Sequence, residues 1–161
     1  MFSTLGSVPR CDQPDPEAEM RYETTVAIDA DVEEVWRVLS AVGNWPDWTP
    51  TVLAARKCDD GPLRVGGRVE LRQPGQPSRV WTVTELVPSR SFTWTSTAPG
   101  LRLTAGHRLR ADGSGTLAGF DFTVEGALSP LARVAARTIR RFVDTEAHSL
   151  KSHCERQARP R

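Results

Sequence analysis

His107 is the first residue in this sequence whose placement suits acid–base chemistry. In the stretch LRLTAGHRLRA it alternates in phase with Leu103, Ala105 and Leu109, opposite Arg102, Thr104, Arg108 and Arg110. If the arginine face is wet, His107 points inward. There it could exchange a proton with a substrate or anchor a ligand carbonyl; the alternative is a core histidine bonded to backbone or water. Asp121 and Glu125 share the opposite phase with Gly119 and Thr123, which suits a surface ladder with Arg108 or Arg110 and turns Phe120, Phe122 and Val124 inward. His148 and His153 are five residues apart, not the four that puts two ligands on one side of a helix, so no metal site is expected. The motifs G-x-S-x-G and H-E-x-x-H, the phosphate loop and the Rossmann glycine pattern are all missing, and no cofactor is expected.

The other chemical signal is aromatic. GNWPDWTP places Trp45 and Trp48 three residues apart, each near a proline, just after Trp36 in EEVWRVLSAV. Pro46 suits an early helical position and Pro50 biases Thr49 toward an extended conformation, so the octet should form a short, stopped helix. Its tryptophans either wall a pocket or fill a core, each burying about 150–250 Å². Phe92 and Trp94 share one face of a later strand, taken as inner. Thr82 and Thr84 lie in phase with Val80 and Leu86, with Trp81, Val83 and Glu85 opposite, and either face could be the inner one.

Composition narrows the function classes. The 161 residues carry a net charge of +1 and 39% hydrophobic content, which excludes a global electrostatic attraction to nucleic acid and gives no stable membrane insertion. Three cysteines, none in a C-x-x-C pair, fit free thiols in a reducing cytoplasm. From Ala127 onward there are eight Lys/Arg and three Asp/Glu, which reads as a solvated face and leaves a homodimer or an anionic partner open.

The elements that must hold these residues follow from periodicity. Residues 1–21 alternate prolines with acids and read as a loosely ordered arm, with Met20 as a conceivable start of the fold. YETTVAID is a strand. Asp31 and Glu34 have capping-box spacing before a helix bearing Val32, Val35, Trp36 and Leu39, which Gly43 should end, with Asn44 capping the next short helix. About six further strands follow with short turns, including GRVELRQ with Val69 and Leu71 in phase. From Ser129 or Pro130 the pattern is helical to about Gln157, with Leu131, Ala135, Ile139, Phe142 and Leu150 near one face and Glu146 among the charged residues; 158–161 is a frayed tail. The predicted class is α+β: a seven-stranded antiparallel sheet, two short helices after its first strand, and a long C-terminal helix to cover one face.

IDADVEEVWRVLSAVGNWPDW, GGRVEL, VWTVTELVPSRSFTW and GTLAGFDFTVEGALSPLAR resemble the SRPBCC (START-like, helix-grip) superfamily, and within it the polyketide cyclase/dehydrase and lipid-transport group. The likeness spans roughly residues 22–157 and implies one helix-grip domain there. It also implies a curved sheet wrapped around the last helix, with an internal cavity near the tryptophan octet. That cavity would take a small hydrophobic or amphipathic molecule of lipid, polyketide or isoprenoid type, or serve a cyclase/dehydrase with His107 as its acid/base. The residues expected to line it are Trp36, Trp45, Trp48, Val69, Leu71, Phe92, Trp94, Leu103, His107, Phe120, Phe122, Leu131, Ala135, Ile139 and Phe142.

Overall fold

A computed structural model describes residues 20–159. Strand β1 (Met20–Ile28) leads into helix α1 (Val32–Ser40) and a 3-10 helix (Val42–Asp47). Strands β2 (Ala54–Lys57), β3 (Arg68–Arg72), β4 (Arg79–Val87), β5 (Ser91–Ala98), β6 (Leu101–Asp112) and β7 (Gly115–Glu125) follow, then helices α2 (Ser129–Val134) and α3 (Ala136–Ala158). The seven strands form one antiparallel sheet in the order β1-β7-β6-β5-β4-β3-β2. Met20 and Arg21, read as part of the arm, pair with Val124 and Thr123 in the ladder; residues 1–19 of the expected arm lie outside the described residues.

β1 and β2 are consecutive strands at opposite edges of the sheet, so the chain between them must cross it. α1 and the 3-10 helix make that crossing. Asp31 caps α1 by accepting the Glu33 N–H at 2.9 Å, consistent with its non-helical backbone. The helix stops at Ser40, short of the expected Gly43, which lies within the 3-10 helix. That 3-10 helix starts at Val42 behind Ala41, with no side-chain cap from Asn44. The Trp45 indole supplies the terminating contact instead: its Nε1–H donates to the Leu39 carbonyl at 2.9 Å, satisfying an end-of-helix acceptor inside the core. Trp48 and Thr49 N–H groups both return to the Trp45 carbonyl, which tightens the turn around Pro46.

β4 carries a bulge. Val83 pairs with Trp94, but Glu85 pairs with Thr93, leaving Thr84 as the extra residue. The bulge resolves which face of β4 is inner: Trp81 and Val83 are buried before it, Leu86 packs on the core after it, and Val80 is exposed. A strict alternation cannot do this, because one inserted residue reverses the phase.

The C-terminal helix is not continuous. It breaks at Ala135 (φ −87°, ψ 0°), separating α2 from α3. Neither glycine nor proline stands at the break, so tertiary packing imposes it: Ser129 and Ala132 are buried while Val134 is exposed. α3, about 35 Å long at 1.5 Å per residue, lies against β1, β7 and α1 through Ala147, Leu150 and Cys154. Before α2, Gly126 turns the chain at φ +107°, where a Cβ would come within 2.6 Å of the Gly100 carbonyl.

Candidate functional site

Between the concave face of the sheet and α2–α3 lies a cavity of about 590 Å³. Leu71 of β3, Trp94 of β5, Leu103 and His107 of β6, and Phe120 and Phe122 of β7 line it. Trp45 closes one end, and Leu131, Ala135, Ile139 and Phe142 come from the helices. Four expected lining residues lie elsewhere. Val69 and Phe92 are buried but absent from the wall; Phe92 serves as packing beneath His107. Trp36 is half-buried and meets Phe92 edge-on at 6.3 Å. Trp48 packs on the outer side of Trp45 at 5.4 Å and borders a surface groove along α3 with Arg137, Arg140 and Arg156. The proline-held octet therefore turns its two tryptophans to different jobs: one seals the cavity, the other backs the seal.

His107 is 3% exposed and enclosed by rings. Phe92 stacks on it at 4.3 Å and 17°, and Trp45, Trp94 and Phe120 approach edge-on between 5.5 and 5.7 Å. Its Nε2 meets Glu146 Oε1 of α3 at 3.1 Å. An ionised carboxylate only accepts, so opposite that form Nε2 carries the hydrogen and the neutral ring leaves Nδ1 as a bare acceptor. Nδ1 is buried and has no hydrogen-bond partner among the described residues. The arrangement is an imidazole held by a carboxylate at the wall of an apolar chamber.

Glu146, expected among the charged residues of the last helix, instead lines the cavity and meets His107. The signal was available: Ile139, Phe142, Glu146 and Leu150 follow the spacing of one helical stripe. Trp81, Arg79, Gln73 and Gln76 also line the cavity. The expected charge ladder on the outer face is only partly as read. Arg108 meets Asp121 at 2.9 Å and Glu23 at 2.6 Å, whereas Glu125 faces Arg102 at 3.9 Å. Cys154 is not a nucleophile candidate: burial pushes its thiol up to about 11, so it packs as an apolar group. On the seam between β1 and α3, the Tyr22 hydroxyl donates to Asp144 at 2.7 Å, and that bond raises its pKa.

A family model described as polyketide cyclase / dehydrase and lipid transport matches residues 19–155. The chain belongs to this family. Among solved structures, the polyketide cyclase/dehydrase fold recurs in the Zhui aromatase/cyclase from Streptomyces sp. R1128. That match has 20% identity and a TM-score of 0.73, covering 88% of this chain and 96% of that one. The di-domain ARO/CYC StfQ of the steffimycin biosynthetic pathway superposes with TM-score 0.73 at 13% identity, covering 88% of this chain and 53% of that chain. A START superfamily protein from Mycobacterium smegmatis matches at 16% identity with TM-score 0.67, covering 86% and 99% respectively. At these identities the likeness establishes the helix-grip fold, a curved sheet around a terminal helix, and no more. No curated protein matches the chain at a significant level of sequence similarity.

Proposed function

We propose that the cavity binds a small, largely apolar molecule of polyketide, lipid or isoprenoid type. The observation that carries this reading is the chamber of about 590 Å³ walled by Trp45, Trp81, Trp94, Phe120 and Phe122 around one buried polar pair. That volume falls in the usual range for small-molecule sites, and aromatic walls with few polar groups favour flat apolar bodies over sugars or nucleotides. Titration with fatty acids and aromatic polyketides tests it through tryptophan emission, since three of the five tryptophans line the chamber. Saturable quenching is expected; a flat response across the panel overturns the reading.

The His107–Glu146 pair favours a second reading, cyclisation with dehydration in the same cavity. Nδ1 would remove a proton from a methylene between two ketone groups. The carbanion would then attack another carbonyl of the same folded chain, forming the C–C bond, and the imidazolium would return the proton to the resulting alkoxide. Loss of that hydroxyl with a neighbouring hydrogen as water completes the balance. Most of the acceleration would come from holding the chain folded, with the proton transfers adding roughly 10²–10⁴-fold. His107→Ala and Glu146→Gln should then suppress turnover while ligand quenching persists. Equal turnover in all three proteins would remove the pair from the chemistry and leave binding as the function.

A further inference from the structure

The cavity has a closed end and an open end. His107 and Trp45, at 3% and 1% exposure, mark the closed end. The open end is bounded by the exposed β3–β4 turn around Gln76 and by the exposed Leu128 and Leu131. Arg79, the first residue of β4, lines the cavity beside that turn. It is in phase with Trp81 and Val83, so it begins the inward face of its strand.

Arg79 is half-buried in the cavity wall, whereas Arg72 and Arg110, which likewise have no ion pair among the described residues, are exposed. Arg56, Arg68, Arg102 and Arg108 each meet a carboxylate of a neighbouring strand or loop. Arg79 has no ion pair among the described residues, and its Nε is buried without any hydrogen-bond partner. Of the two carboxylate residues in the cavity lining, Asp121 forms an ion pair with Arg108 and Glu146 meets His107, and neither pairs with Arg79. A half-buried guanidinium with a desolvated, unsatisfied N–H is costly unless something supplies an acceptor. A planar guanidinium matches a carboxylate or another oxyanion best.

The ladder also sets a length. His107 pairs with Phe92 of β5, and continuing the β4–β5 register places Arg79 level with Ala98, six residues further along. At about 3.3 Å per residue that is roughly 20 Å of strand.

We propose that Arg79 anchors an anionic group at the mouth, so that the cavity selects elongated amphipathic acids. The head would bond Arg79, with Gln73 and Gln76 beside it, the apolar body would lie against Trp81, Trp94 and Phe122, and the far end would reach His107. This deepens the binding reading and rests on it. A matched probe pair separates the two: 11-(dansylamino)undecanoic acid and its methyl ester, which differ in charge and little else. Wild type should bind the acid roughly tenfold or more tighter than the ester, as a charge-assisted contact would give. Arg79→Gln should lose that preference by weakening the acid while leaving the ester unchanged; Arg79→Lys should keep part of it. Arg102→Gln, on the outer face, should behave as wild type, and circular dichroism confirms that each variant folds. Acid and ester binding equally to wild type, or Arg79→Gln retaining the preference, overturns the anchor alone. Wild type taking neither probe overturns the binding reading together with it.

Discussion

Trp45 joins two levels of the structure through a single side chain. Its ring seals the closed end of the cavity, and its N–H holds the last turn of α1 through the Leu39 carbonyl. Trp45→Phe keeps an aromatic body in place but leaves that carbonyl buried and unpaired. The expected cost is about 1–3 kcal/mol, read as a lower urea midpoint with an unchanged slope. Trp45→Leu should cost more, because the contacts with Trp48, Trp94 and His107 go as well. His107 shows the other side of residue-scale reading. Its phase on β6 turned it inward in the sequence, but the partner that orients it is 39 residues away on α3.

At the scale of elements, α3 is held at both ends of its contact with β1. The Tyr22 hydroxyl bonds Asp144 at one end. At the other, the Glu155 carboxylate accepts the Asp29 N–H at 2.9 Å and the Lys151 ammonium at 2.5 Å. The backbone bond from Asp29, followed by the bond from Lys151, holds the Glu155 carboxyl below its ordinary value of 4.5. A folded-state value below the unfolded one means that the charged form favours the fold. The contribution is complete above 4.5 and disappears as pH falls through the lower folded value. Wild type should therefore resist urea better than Glu155→Gln at neutral pH, and the two midpoints should converge well below pH 4.5. A gap that persists in acid would assign the contact to packing instead of charge. The screened, partly exposed position keeps the effect small.

For the whole molecule, the cavity exists because the sheet curves away from helices that touch it along its β1–β7 side. Filling it should stabilise the folded state by mass action, about 2.7 kcal/mol at a ligand concentration of 100 Kd. For a chain of 161 residues that corresponds to a Tm rise of roughly 5–10 °C at saturation. The same ligand should give a smaller rise with a variant that fills the chamber, such as Ala105→Phe, provided that the variant folds with wild-type circular dichroism. An equal rise in both would place the ligand outside the chamber.

Alternation and capping are local, so the sequence by itself determined seven strands, the capped α1, the inward face of β6 and β7, and the helical end. It also carried the family, through runs such as VWTVTELVPSRSFTW. Other features depended on residues far apart in the chain. The bulge at Thr84 reverses phase within one strand, so Trp81 and Leu86 both face inward although they differ in parity. Val69 and Leu71 are in phase and both buried, but only Leu71 reaches the cavity, because curvature sets depth where periodicity sets only side. The break at Ala135, the meeting of Glu146 with His107 and the unpaired Arg79 were decided by tertiary structure alone. Each depends on which residues the curved sheet and α2–α3 bring face to face across the cavity, and local periodicity carries no information about that.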